Sequence, residues 1–436
     1  MSDPRPLRNL LNARSGVHPA LWPIVELVAS VAAQLVLTPL LLHRLGTEQF
    51  AVWVIVQSLL LASATLSLGA GTALLPALAG ARSRHDAQGA WAAIGLFAKR
   101  TARISLAGLA AIVVGIPLSW AYGGIVGLES RDLLLIAAAA LVWVSANEFD
   151  SGFSSALKAL GRFDTVAHME VASRLVQVAL TAAFVASGAP ALVPVMVAAA
   201  VTASRAVWKY AALRKRWPRP PREHGASAAN SVTREFSAAG VWVWLGMLSG
   251  LAFYAFDRWY VGAWLGSSVL AAYAVCSQIA QLPHAVASAA GQTLVPWAAR
   301  RRDRLVDPEA RHDARKIMLS ATMFAVLPSV VLLLLLEPLL SLWISKQFAS
   351  DHLWLARGLT VVSLLLSLNV PSFFLLFGFG QVRIPTLLVV LSGTVFVAGC
   401  LLASPSLAGV VALRGLFAVL SLSLVVYFMW TSGARG

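Results

Sequence analysis

The chain reads as an all-α polytopic membrane protein of about twelve transmembrane helices in two six-helix lobes. Three observations predict this. Hydrophobic residues make up 58% of the 436 positions and charged residues 12%, with a mean hydropathy of +0.76, whereas a soluble domain carries about 25% charged residues. Apolar runs of about 20 residues recur from end to end, each long enough as a helix to cross a hydrocarbon layer roughly 30 Å thick. Finally, "LGTEQFAVWVIVQS" at residues 45–58 has an echo in "LGSSVLAAYAVCSQ" at residues 265–278, an offset of 220. Gly71, Leu74 and Pro76 fall on Gly291, Leu294 and Pro296 at the same offset. A β-barrel is excluded because the apolar runs are continuous rather than alternating.

Hydropathy places the spans near residues 20–42, 49–79, 103–123, 131–157, 164–187, 190–213, 235–262, 267–296, 315–336, 350–377, 383–403 and 407–430. The second is too long for one straight crossing, and "LGAGTALLP" is expected to kink it or extend it along the surface. The first run carries Glu26 and Gln34 and is expected to remain as a span, not to be removed as a signal peptide.

The net charge of +15 follows from topology. With both termini cytoplasmic, inner loops and termini hold 27 of the 34 Lys and Arg residues; outer loops hold Arg44, Arg131 and Lys346, and four arginines lie within spans. The inner set includes everything basic from Arg205 to Arg234. Such an asymmetry is the positive-inside rule, so no nucleic-acid partner is read from the basicity.

The most polar interior stretch, "ALRKRWPRPPREHGASAANSVTREF" (residues 212–236), has the composition of a linker stiffened by proline and loosened by Gly and Ser. It divides the chain into a lobe at 1–213, a linker at 214–234 and a lobe at 235–436. Each half holds an even number of spans, so a duplicated half re-enters the membrane from the same side, giving parallel repeats about an axis along the membrane normal. Two such lobes around a cleft form the body of an alternating-access transporter.

Enzyme chemistry leaves no trace. There is no G-x-x-x-x-G-K-[ST] phosphate loop, no His/Cys/Asp grouping at metal spacing and no G-x-S-x-G elbow. No catalytic residue, cofactor or metal is expected. Cys276 and Cys400 lie within spans and read as small packing residues. Trp120, Trp242, Trp244, Trp259, Trp264, Trp343 and Trp354 lie near span ends as an interfacial belt. Gly246 and Gly250 form a G-x-x-x-G contact face.

Ionisable residues within spans are candidate functional sites, because each costs about 2.5–3.5 kcal/mol at mid-bilayer on insertion scales. Arg174 sits roughly 15 Å deep at 1.5 Å per residue. Glu170 lies one turn before it, the favourable order for an i,i+4 pair. Two readings stay open: a self-contained ion pair on a wet cavity, or a cation for an anionic substrate group that Glu170 restrains at rest. Glu148 and Asp150 on the fourth span lie about 200° apart around the helix. Glu148 is favoured for the cleft, as an acid able to couple a proton, with Asp150 nearer the inner interface. Trp143 reads first as a packed core aromatic and second as a platform to stack on a sugar. In the second half, Asp257, Arg258, Arg357 and Arg414 lie towards the outer ends of their spans. The arginines either snorkel or form an outer basic region whose planar guanidinium groups suit bidentate phosphate contacts.

These segments also resemble a known family. "RLGTEQFAVWVIVQSLLLASATLSLGAGTAL" is similar to the second-span region of Wzx-type polysaccharide flippases, in the multidrug/oligosaccharidyl-lipid/polysaccharide exporter superfamily. Leu45, Gly46, Phe50, Gly69 and Gly71 match that pattern, whereas Ala51 and Ser67 depart from its usual Gly and Asp. "LKALGRFDTVA" resembles the inner turn after the fourth span. "DRWYVGAWLGSSVLAAYAV" resembles the seventh-to-eighth-span signature, with Asp257, Arg258, Gly262, Gly266 and Tyr273 in register.

The resemblance implies a flippase of a bacterial inner membrane. It would carry an oligosaccharide on an undecaprenyl-pyrophosphate carrier from the inner to the outer leaflet, beside polysaccharide polymerase and export machinery. A cation-coupled multidrug exporter of the same superfamily is the nearest rival and would favour an acidic cleft. An integral-membrane polymerase or ligase is the rival from another class, and it would need the substantial outer loop that this sequence lacks.

Overall fold

The structure of the protein, a computed structural model, describes residues 22–66, 86–121, 130–217, 255–291, 308–379 and 383–433, with isolated positions at 74–75, 77–78, 81–82, 245, 251, 294, 298 and 381. Regular structure among the described residues is helical throughout. The first half holds α1 (Trp22–Leu66), α2 (Ala87–Ala121), α3 (Ser130–Ala159), α4 (Phe163–Ala186) and α5 (Leu192–Arg216). The second holds α6 (Asp257–Leu265), α7 (Ser267–Ala280), α8 (Leu282–Gly291), α9 (Pro308–Trp343), α10 (Lys346–Gly378), α11 (Arg383–Leu402), α12 (Leu407–Ser421) and α13 (Ser423–Gly433).

Eleven of the twelve expected spans have a counterpart among these helices, and the seventh lies mostly outside the described residues. The first two spans are joined in α1, whose 45 residues would run about 68 Å if straight, more than twice the hydrocarbon thickness. Of the seventh, α6 holds the C-terminal end. The eighth is the pair α7–α8, bent by 42°, and the twelfth is α12 followed by α13. Pro283 explains the bend: it has no N–H to give to Ile279, and its ring crowds the preceding turn. The expected surface kink at residues 68–76 lies mostly outside the described residues, and so does the linker beyond Trp217.

Glycine sets the turns. Gly46 breaks α1 with φ 77° and ψ 173°, and Gly266 separates α6 from α7 with φ 91° and ψ 170°. Both fall in a region open essentially to glycine alone. They are 220 residues apart, so the sequence echo is an echo of backbone geometry. Gly161 and Gly188, also at positive φ, close α3 and α4 as Schellman turns. In the first, Arg162 N–H reaches Leu157 O at 3.0 Å and Gly161 N–H reaches Lys158 O at 2.9 Å. Serine opens two helices by accepting an N–H from the first turn: Ser345 from Phe348 and Ser406 from Gly409, each at 3.1 Å.

The core shows how the halves meet. At the end marked by Gly46, Gly188 and Gly266, one hydrophobic cluster draws on both halves, joining Leu41, Trp53 and Val195 to Tyr273, Leu336 and Leu355. At the opposite end the clusters divide. Phe97, Leu157, Val166 and Leu213 belong to the first half, and Met318, Leu375, Phe379 and Leu424 to the second. Polar bonds cross between the halves at the shared end. Thr38 Oγ1 donates to Gln278 Oε1 at 2.6 Å, Trp259 Nε1 to Ser58 Oγ at 2.6 Å, and Trp343 Nε1 to Leu35 O at 2.7 Å. The echoed segments thus form the seam between the lobes.

Large apolar side chains face outward. On α9, Phe324, Leu334 and Leu342 are almost fully exposed, a surface that belongs in lipid rather than water. Among the described residues, eight helices are long and apolar enough to cross a membrane, or nine if α7–α8 counts as one.

Candidate functional site

Among the described residues, two buried charge centres lie in the helices, one in each half. The first is built on α3, α4 and α5. Along α5 the inward stripe runs Val195, Ala198, Ala199, Thr202, Arg205, Lys209 and Leu213, at the three- and four-residue spacing of one helix face. Two cations therefore sit where apolar residues would pack. Arg205 clamps Asp150 of α3 with two guanidinium nitrogens, Nε to Oδ1 at 3.0 Å and Nη2 to Oδ2 at 3.0 Å. Its Nη1 reaches Glu170 Oε2 of α4 at 2.6 Å and Ser173 Oγ at 3.1 Å. One turn on, Lys209 Nζ lies 2.6 Å from Glu170 Oε1, 2.9 Å from Asp150 Oδ2 and 2.8 Å from Ser154 Oγ.

Two cations and two carboxylates cancel in formal charge, and Ser154 and Ser173 take up remaining donors. Such mutual satisfaction is what allows charges to be buried, since removal from water costs several kcal/mol per ion. Lys209 is fully buried and Asp150 nearly so. Beside the quartet, α4 carries a buried polar line of Ser173, Gln177 and Thr181. Arg174 is half-buried on that helix and donates to Gln177 Oε1 at 3.3 Å. Its Nε has no hydrogen-bond partner among the described residues.

The second centre joins helices far apart in sequence. Asp257 at the start of α6 accepts from Tyr273 of α7 and from Arg414 of α12, and Arg414 also donates to the Tyr273 hydroxyl. All three are at most 2% exposed. Asp257 Oδ1 additionally accepts the backbone N–H of Arg258 at 2.7 Å.

Sequence reasoning placed several of these residues differently. The anticipated Glu170–Arg174 pair is not formed: Glu170 pairs with Arg205 and Lys209, and Arg174 turns to Gln177. Asp150, assigned towards the inner interface, is at the heart of the quartet. Glu148 is buried as well. Arg205 and Lys209 were missed because they were counted with the inner loop. The signal that could have found them is the α5 stripe, which continues past both to Leu213. Trp143 stacks on Trp53 in the shared core, ring centroids 5.4 Å apart. Of the three outer arginines, Arg414 is locked to Asp257, Arg258 is half-buried and Arg357 is exposed, so they occupy three different environments. No group of three His, Cys, Asp or Glu able to hold a metal occurs among the described residues.

The arrangement is the fold of two-lobe membrane transporters. A multidrug resistance MATE family transporter of the MOP superfamily, in an inward-facing conformation, superposes with a TM-score of 0.70 at 15% identity, covering 95% of this chain and 98% of that one. An outward-facing conformation of such a transporter gives a TM-score of 0.64 at 15% identity, covering 98% of each chain. A MOP superfamily transporter from Pyrococcus furiosus, described as having a binding pocket of reverse polarity, gives 0.63 at 15% identity, covering 95% and 94%. No curated protein matches the chain in sequence.

The particular family is set by sequence. Residues 21–302 match the polysaccharide biosynthesis protein family, and the chain belongs to it. The resemblance to Wzx-type polysaccharide exporters holds at the level of family and fold.

Proposed function

We propose that the protein is a flippase that moves an undecaprenyl-pyrophosphate-linked oligosaccharide from the inner to the outer leaflet of a bacterial inner membrane. The observation that carries this reading is the buried Asp150–Glu170–Arg205–Lys209 quartet with Arg174 beside it, in a polysaccharide-biosynthesis family member with a two-lobe transporter fold. Sugar and pyrophosphate cannot cross hydrocarbon unaided, whereas the polyprenyl tail never needs to leave it.

In this mechanism Arg174, whose Nε has no partner among the described residues, meets the pyrophosphate first. The phosphate oxygens then compete with Glu170 for Arg205 and Lys209, since guanidinium suits bidentate phosphate contact. Protonation of the displaced Glu170, or of the buried Glu148 on α3, favours transit, and re-pairing of the quartet ejects the head group. Asp257 with Arg414 secures the second lobe, and Arg258 and Arg357 guide the released anion at the outer side. Trp143 stiffens the seam.

The lobes are residues 1–213 and 235–436, joined by the 214–234 linker, with both termini cytoplasmic as the Lys/Arg asymmetry indicates. Under that orientation the shared core closes the outer end and the divided clusters open the inner one, an inward-facing state ready to load. Polymerase and export machinery take the product. A multidrug exporter for cations would want free acids, yet Asp150 and Glu170 are both engaged by cations.

The test is complementation of a deletion strain with Arg174→Ala and Arg174→Lys, at matched protein levels. The expected result is the complete lipid-linked repeat unit stranded on the cytoplasmic leaflet with Arg174→Ala, and partial recovery with Arg174→Lys. Full surface polysaccharide from Arg174→Ala would refute its substrate role. Normal polysaccharide in the deletion strain, with new drug sensitivity, would replace the flippase reading by the exporter.

A further inference from the structure

A second polar site lies where the eighth span bends. Between α7, α8, α10 and α12 is a small cavity of about 10 Å³, lined by Ser277, Gln281, His284, Ser363 and Arg414 together with apolar side chains of α10. Four polar atoms of these residues, Ser277 Oγ, Gln281 Nε2, His284 Nδ1 and Ser363 Oγ, are buried without a hydrogen-bond partner among the described residues. Ser277 and Ser363 are 1% and 3% exposed.

Orphaned buried polar atoms are rare because each carries the full cost of desolvation. Four facing one small space is a pattern that a shared ligand removes. A volume on the order of 10–15 Å³ is what one water molecule requires, and a buried water makes 2–4 hydrogen bonds. Chemistry agrees with size. The amide nitrogen donates, the hydroxyls donate or accept, and the imidazole nitrogen accepts in one tautomer. The Arg414 guanidinium in the wall opposes a metal cation.

We infer that this cavity is a binding site for a single structural water bridging the bend of the eighth span to α10 and α12. Gln281 stands at the break between α7 and α8, where Pro283 has removed a backbone donor. Water inserted into a helix break supplies bonds that the helix cannot. Through Arg414 the site adjoins the Asp257–Tyr273 centre, so the bend and the second lobe's charge centre share one polar network.

The first test is hydroxyl-radical footprinting of the full-length protein in nanodiscs, because radicals formed from bound water label only adjacent side chains. Leu359 and Leu366, which line the cavity and are 3% and 6% exposed, are expected to be modified well above Leu270 and Leu375, which are fully buried in apolar surroundings. Equal protection of all four would overturn the site. The second is the sign of a stability change. Ser363→Ala and Ser277→Ala are expected to lower Tm, since each deprives the water of a partner. An unchanged or higher Tm would overturn the site, since deleting an orphan hydroxyl from a dry void relieves a penalty. Footprinting on the unaltered protein stands if either variant fails to fold.

Discussion

Asp150 shows how much one residue can organise inside a membrane. Its two oxygens face Arg205 and Lys209, both buried beside it, so its charge makes theirs tolerable. Asp150→Asn is expected to destabilise the protein by about 3–5 kcal/mol, because it leaves buried cations under-compensated. Thermal unfolding in detergent, read against the unaltered chain, checks this. The double variant Asp150→Asn with Lys209→Met should recover part of the loss, since it returns the cluster to neutrality. Two independent and additive losses would mean the pair is not coupled. In the other half, Tyr273→Phe removes one donor from Asp257 but leaves Arg414 in place. Its cost should therefore be smaller than that of Arg414→Met, which strips the buried Asp257 carboxylate of the cation paired with it.

At the scale of elements, the turns carry the most specific sequence information. Gly46 and Gly266 have no heavy atom within 4 Å of where a Cβ would stand. Any cost of substitution there is dihedral strain and not collision. Gly46→Ala and Gly266→Ala are each expected to cost on the order of 1–3 kcal/mol, seen as a lowered Tm. Gly291 is the contrasting case: its Cβ would come within 2.5 Å of the Phe374 ring, so Gly291→Ala forces α8 and α10 apart. The 220-residue offset joins Gly291 to Gly71 as it joins Gly266 to Gly46. A spacing that first registers as a repeat of letters thus turns out to mark a repeated turn at Gly46 and Gly266, whereas Gly71 lies outside the described residues.

Across the whole molecule, the two lobes share a core at one end and keep separate cores at the other. On the proposed alternating-access cycle the shared end comes apart, and the bonds across it then act as a gate. Cysteines placed at Thr38 and Gln278, whose side chains meet at 2.6 Å, should lock that gate when joined by a short crosslinker in a background lacking Cys276 and Cys400. On the proposed cycle, transport of the lipid-linked glycan stops on crosslinking and returns on cleavage of the linker. Undiminished transport by the crosslinked protein would place the moving seam elsewhere.

The sequence by itself determined the class of protein, most of its spans and the 220-residue echo, and it contains the glycines and serines that set the turns. Hydropathy, glycine and serine act over a few residues, and a bilayer forces apolar segments of sufficient length into helices whatever their neighbours. It also picked out Asp150, Glu170, Asp257 and Arg414 as charges needing a reason. Only the tertiary structure decided which of them meet. Asp257 and Arg414 are 157 residues apart, and Asp150 finds Arg205 and Lys209 across 55 and 59. No local spacing encodes such partners. Glu170 has Arg174 one turn away in sequence yet pairs across to α5, because the rotation of packed helices about their axes settles which face of α4 looks inward. That rotation is set by the sum of contacts along every helix, and it becomes legible only once the bundle has formed.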